Sequence, residues 1–266
     1  DEAVGHFKTQ GERVGICLIK DFTCYQQDLV KELKKCGFGS VAADPIMVLP
    51  LLPQWKSFED YTQGLISKFR SKAVTAYKKS EQVTTAFWSL EEMKDFKSQW
   101  YPLYEQVYLQ AQNRWQPLTA AALCNMKAQL GESMLFRAYF WNTQLVGFSV
   151  AIVDDEMEAH LVGIDYAVNR QIYLYSRMLY DFVELGIQKG VKQIVFGRTA
   201  VEIKSAMGAM PVYYGNVLRH SRSIPNLFVK WMTQSLDYEI EDMRAPWKGE
   251  VEKEIKQRLQ NGEPHE

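Results

Sequence analysis

Hydrophobic and polar positions fall into short alternating runs separated by longer runs of helical period, the pattern of a mixed α/β chain. Residues 13–20 alternate and are β-rich, which predicts a strand. Residues 25–35 carry apolar positions at helical spacing and stop at Cys36-Gly37. An extended apolar segment over 41–52 follows, so the chain opens as β-α-β. Pro53 breaks that run, and 58–80 reads as one helix with Tyr61, Leu65, Phe69, Val74 and Tyr77 turned inward. Residues 84–89 predict a short strand. Ser89-Leu-Glu-Glu92 fits a capping box and starts a helical region over 91–112 that Pro102 should kink or divide. Residues 119–131 predict a further helix. The runs 135–141 and 145–153, joined by Asn142-Thr143-Gln144, predict a hairpin, and 158–166 extends it to a three-strand meander.

The segment 161–208 is the most strongly punctuated. A strand runs to Tyr166, a loop covers Ala167 to Arg170, and a helix over 171–189 is stopped by Gly190. A strand at 193–197 and a second helix over 199–207, ended by Gly208, complete a βαβα unit. A helix that starts behind a strand presents unpaired N–H groups suited to an anion. A last strand at 212–220, an amphipathic helix at 227–236 and a charged helical tail at 248–260 close the chain. The expected boundary lies where the basic helix ends, giving a companion subdomain over 1–85 and a main domain over 86–266.

Composition narrows the classes. Hydrophobic residues make up 47% and charged residues 24%, ordinary for a globular chain. Lys+Arg 31 against Asp+Glu 32 leaves a net charge of -1, which argues against DNA as a partner. The longest apolar runs are strand-sized, short of the roughly 20 residues of a membrane span. No signal peptide is visible and the chain opens at Asp1 without Met, so a cytoplasmic location and missing N-terminal residues are expected. Cys17, Cys24, Cys36 and Cys124 form no C-x-x-C pair and read as reduced thiols; His6, His160, His220 and His265 show no metal-ligand spacing. Lys68, Arg70, Lys72, Lys78 and Lys79 make one basic helix face, either plainly solvated or a landing site for the phosphates of a donor such as CoA or tRNA. The aromatic run Phe96, Trp100, Tyr101, Tyr104, Tyr108 and Trp115 reads as core, with some rings available to line an acceptor pocket. There is no phosphate-binding P-loop, no dinucleotide fingerprint, and Gly147-Phe-Ser149 lacks the second glycine of a nucleophile elbow.

The order from Leu135 to His220 (meander, central strand, helix, parallel strand, helix, final strand) resembles the GNAT (N-acetyltransferase) superfamily. The resemblance implies an α/β fold with a mixed sheet splayed at its central strand, flanked by helices, and N-acyl transfer from an acyl donor to an amine. In that superfamily the loop after the central strand reads Arg-x-x-Gly-x-Gly and cradles the CoA pyrophosphate. Here Arg170-Gln-Ile-Tyr-Leu-Tyr-Ser176 keeps the length and places Tyr173 and Tyr175 where glycines are expected. Asn169, Arg170, Tyr173, Tyr175, Ser176 and Arg198 are the residues the resemblance assigns to the donor. The lost glycines argue against tight acetyl-CoA binding, leaving acyl-CoA as a co-substrate with no tightly bound cofactor.

The same segment, with Phe196-Gly-Arg-Thr-Ala-Val-Glu-Ile-Lys204-Ser-Ala-Met-Gly208, resembles the Fem-type aminoacyl transferases of peptidoglycan synthesis, whose likeness brings tRNA in as an alternative donor. Lys204 then stands where acetyltransferases place a general acid, against the plainer reading of a surface lysine. Asp165, at the end of the central strand, reads either as a base for the amine or as a cap for the following loop. Arg198 and Glu202 flank the same cleft in projection. An alternative of another class is a GNAT-fold binding protein that has lost catalysis.

Overall fold

The computed structural model describes residues 2–11, 13–22, 27–41, 44–111, 116–222, 225–227 and 243–261. The chain forms two compact units, each discontinuous in sequence: Asp1–Ile46 with Pro211–Glu241, and Met47–Met210 with Asp242–Glu266. The boundary expected near residue 85 falls inside the second unit. The helix expected over 227–236, Trp115, Cys24 and His265 lie outside the described residues.

In the first unit, β1 (Ile16–Phe22) pairs antiparallel with β10 (Gly215–His220), which pairs in turn with β2 (Gly39–Val41). Phe22, Phe38 and Val217 form its small core, with Val30 and Leu33 of the helix α2 (Gln27–Lys35) packed against them. The strand expected over 41–52 is therefore two strands. β2 belongs to this sheet, while β3 (Ile46–Pro50) enters the larger one.

That larger sheet has the order β4-β5-β6-β7-β8-β3-β9, with β4 Thr84–Trp88, β5 Met134–Trp141, β6 Gln144–Val153, β7 Met157–Ile164, β8 Gln193–Gly197 and β9 Met210–Val212. β4 to β7 are antiparallel neighbours, β7 and β8 are parallel, and β3 runs antiparallel to β8. Met47, Val48 and Leu49 of β3 are fully buried, as an apolar run without alternation requires. The strand expected to close this sheet, 212–220, does not do so. Its first residue ends β9, and its remainder is β10 of the other unit. The turn from β5 to β6 is two residues long, with Asn142 and Thr143 at φ 49 and 63, the left-handed pair that a two-residue hairpin demands.

Several helices differ from the sequence reading for local reasons. The helix expected over 58–80 is α3 (Phe58–Gly64) and α4 (Ser67–Lys79). Between them Leu65 pairs with Trp247, the Ile66 amide donates to the Pro246 carbonyl and the Lys248 amide to the Gly64 carbonyl. Long-range pairing overrides the local helical period there. The region 91–112 divides at Phe96, into α5 (Leu90–Asp95) and α6 (Lys97–Gln110), and Pro102 stays inside α6. α7 (Ala120–Leu130) is capped by Thr119. The loop expected at 167–170 is helical: α8 (Tyr166–Ile172) follows β7 directly and α9 (Leu174–Lys189) follows after Tyr173 alone. α9 buries Leu174, Met178, Leu179, Phe182 and Val183 against the sheet and ends at Gly190 in the left-handed conformation. α10 (Val201–Ala206) and α11 (Gly249–Asn261) complete the unit.

Candidate functional site

β7 and β8 run side by side only briefly. Their pairing covers Met157 with Ile194 and Glu158 with Val195, although β7 continues to Ile164. Each strand carries a bulge just where this ladder stops. On β7, Ala159 faces Ala151 and Leu161 faces Val150, which leaves His160 as the extra residue. On β8, Val195 faces Val48 and Gly197 faces Met47, which leaves Phe196 extra. A bulge bends its strand and increases the local twist, so the two strands part beyond Glu158 and Val195. The splay expected between the strand ending at Asp165 and that beginning at Gln193 is present.

Lys204 reaches this fork from the β8 side. Its side chain is 4% exposed, and Nζ donates to the carbonyl of the bulged Phe196 at 2.6 Å. Burial pulls the ammonium down to a pKa of about 8. The short helix α10 is pinned around it. The Tyr61 hydroxyl donates to the Met207 carbonyl at 2.7 Å, Trp247 Nε1 to the Gly208 carbonyl at 3.0 Å, and the Arg244 amide to Ser205 Oγ at 3.1 Å. Gly208 sits at φ 100, and a Cβ there would lie 1.9 Å from Trp247 Cζ2. Among the described residues Lys204 has no carboxylate partner, so it is a cation without a counter-charge on a rigid mount, a costly arrangement in the interior of a protein.

On the β7 side three of the backbone donors at the helix starts are engaged by side chains. Asp165 caps α8, its Oδ1 accepting from the Ala167 amide at 2.9 Å, and Gln106 Oε1 accepts from the Tyr166 amide at 3.2 Å. Asn169 Oδ1 accepts from the Tyr175 amide at 2.9 Å, capping α9 across Tyr173, which lies in the left-handed region at φ 53. Tyr173 is exposed, whereas Tyr175 is packed into the core and burial pushes its hydroxyl up to about 12. Ser176 and Arg198 are half-buried, Arg170 is exposed, and Glu202 binds Arg244 at 2.8 Å. The structure therefore gathers Asp165, Asn169, Tyr173, Tyr175 and Ser176 at the β7–α8–α9 turn and puts Lys204 and Arg198 after β8.

Two polar groupings escape a reading of the sequence. One is Glu158 with His160, whose Nδ1 lies 2.8 Å from Glu158 Oε1 while its Nε2 is buried and has no partner among the described residues. Glu158 is the last β7 residue paired with β8 and His160 is the bulged residue just beyond it, and a bulge leaves no mark in an alternating pattern. The other is Asp181 of α9, 1% exposed on its side chain. It accepts from Arg177 Nε at 2.7 Å and from the Tyr77 hydroxyl at 3.0 Å, and faces Arg137 Nη1 at 3.3 Å. The i,i+4 spacing of Arg177 and Asp181 was a readable signal; Arg137 and Tyr77, from β5 and α4, were not.

The sequence matches no protein-family model and no curated protein. Solved structures match it in shape. The C-terminal domain of a candidate lysylphosphatidylglycerol synthetase from Agrobacterium fabrum superposes with a TM-score of 0.55 at 8% identity, over 88% of this chain and 75% of that one. A GCN5-related N-acetyltransferase from Sphaerobacter thermophilus gives 0.50 at 12% identity, over 84% and 65%. The fold is GNAT-like. L-PGS from Bacillus licheniformis gives 0.51 at 11% identity, over 90% and 77%. Within this GNAT-like sheet β7 is the splayed central strand, and β3 fills the place beside β8 where the sequence order led us to expect the final strand.

Proposed function

We propose that the chain is an acyltransferase that moves an acyl or aminoacyl group from a thioester or ester donor to an amine acceptor at the β7–β8 fork. The observation that carries this is Lys204: a buried ammonium with a backbone carbonyl as partner and no carboxylate beside it among the described residues. Attack of an amine on an acyl carbonyl places negative charge first on the carbonyl oxygen and then on the leaving sulfur or oxygen. A fixed cation in a poorly solvated site stabilises that charge more in the transition state than in the ground state. With a pKa of about 8 it can also hand its proton to the leaving atom near neutral pH. The amine attacks directly, the fork holding both substrates in one complex.

The donor is not gripped as glycine-loop acetyltransferases grip CoA. Three of the helix-start amides near the place of a pyrophosphate, those of Tyr166, Ala167 and Tyr175, bind Gln106, Asp165 and Asn169. This supports a Fem-type or aminoacyl-phospholipid-synthetase-like donor, with acyl-CoA the weaker candidate. Two of the similar solved structures carry names of the second kind. The same occupied amides favour the second reading, a GNAT-like binding protein without turnover.

A panel of acetyl-CoA, longer acyl-CoAs and lysyl-tRNA, each incubated with simple amines and followed by mass spectrometry, separates the two. Product with any donor supports the transferase. Thermal stabilisation by a donor without product supports the binder.

A further inference from the structure

The transfer reading leaves one chemical requirement unmet. An amine acceptor is an ammonium near neutral pH and attacks only after losing a proton. Asp165, the carboxylate at the end of β7, is engaged in capping α8 through Oδ1. The imidazole of His160 stands differently. Its Nδ1 lies 2.8 Å from the Glu158 carboxylate, an acceptor only, so in the neutral ring Nδ1 carries the proton and Nε2 keeps a lone pair. That Nε2 is buried without a hydrogen-bond partner among the described residues. A buried acceptor left without a donor is costly, so an unpartnered one calls for an explanation. It also occurs on the bulged residue of β7, level with the point where β8 turns away and Lys204 Nζ meets the Phe196 carbonyl.

We infer that His160 is the general base of this transfer, taking the acceptor's proton at Nε2 while Glu158 holds Nδ1–H; the inference rests on the transfer reading above. The amine nitrogen attacks the acyl carbon and the C–N bond forms. The C–S or C–O bond to the donor breaks, its electron pair leaves on sulfur or oxygen, and Lys204 protonates it. An ammonium acceptor sheds two protons: His160 takes the first before attack and passes it to solvent, then takes the second from the nitrogen as the amide forms; one of the two reprotonates Lys204 through solvent and the other stays in solvent. Glu158 is a positioning residue: it fixes the tautomer and offsets the imidazolium charge, as the carboxylate of a catalytic triad does. Because Nε2 is shielded from solvent in the empty protein, entry of the acceptor must part the side chains at the fork.

The test compares wild type, His160→Asn and Glu158→Gln, with acetyl-CoA and the lysyl thioester of N-acetylcysteamine as donors. Two acceptors are used: ethanolamine, which is protonated near neutral pH, and hydroxylamine, which is not. Asn at 160 can keep the bond to Glu158 while removing Nε2. Loss of a general base lowers kcat by about 100-fold or more with ethanolamine, and by much less with hydroxylamine, at unchanged Tm and donor KM. Glu158→Gln falls between. Equal losses with both amines, or an undiminished ethanolamine rate, overturn the base assignment alone. A wild type inert with both donors and with every donor of the panel above, lysyl-tRNA included, overturns the transfer reading and this inference with it. Should His160→Asn fail to fold, imidazole nitrogen NMR of the wild type decides: a proton on Nδ1 with bare Nε2 is expected, and a proton on Nε2 contradicts the role.

Discussion

Lys204 ties the chemistry of one residue to the stability of the unit that holds it. Its folded pKa is about 8 against 10.5 for a free lysine. Between those values the unfolded chain holds a proton that the folded chain has lost, so stability rises with pH through that window, by up to about 1.4 kcal/mol per unit. Urea unfolding of the wild type at pH about 8 and about 10 should show this gain, and Lys204→Met should lose most of it. An identical slope in the variant would place the titration elsewhere. Asn169 supports a second prediction. Removing its cap in Asn169→Ala costs about 1 kcal/mol and frees the Tyr175 amide, so CoA should raise the variant's Tm more than it raises the wild type's. Submicromolar CoA affinity in the wild type, beyond about -8 kcal/mol, contradicts this account of the helix start. Lys204 was singled out through the resemblance, four residues before Gly208, while its burial was not legible, since the same position also reads as a surface lysine. Asn169 was legible as a position and not as a cap, since its acceptor role depends on Tyr173 entering the left-handed region.

At the scale of elements, Asp181 joins α9, α4 and β5 through Arg177, Tyr77 and Arg137. Asp181→Ala leaves two guanidinium groups without their shared carboxylate, and removing one partner of a buried pair costs about 3–5 kcal/mol. The variant's Tm should fall by about 10 °C, measurable by circular dichroism; a shift of a degree or two would mean the cluster is solvated. Element types were largely legible, because burial follows period: the β4–β7 meander, α9 and β8 lie where alternation and helical spacing place them. Breaks were not. The interruption at Leu65–Ile66 follows from pairing with Pro246–Lys248, residues some 180 positions away in the sequence. The chain divides at Phe96 and not at Pro102, which stays inside α6 as its sixth residue, past the first turn, where it removes the bond its amide would make to the Ser98 carbonyl without ending the helix.

At the scale of the whole chain, each unit is built from two separated stretches, and no local pattern announces that. The larger unit depends on residues after 242: Trp247 and Ile255 are buried in its core, with Trp247 stacked on Trp55 at 5.5 Å and hydrogen-bonded to Gly208. Trp247→Ala should destabilise this unit by about 3–5 kcal/mol, read by denaturant unfolding. A negligible loss would mean the core closes without the returning segment. The GNAT-like sheet was legible from element order. The insertion of β3 beside β8 was not, since an apolar run records burial and not its neighbour. The central claim is that charge developing at the fork is met by Lys204. Its most direct measurement is turnover by Lys204→Met, with Tm recorded alongside, using whichever donor and amine the wild type joins. The account predicts a fall in kcat of about 100-fold or more with Tm not lowered and substrate KM little changed. A variant that keeps its rate, or loses rate only in step with its folded fraction, contradicts it.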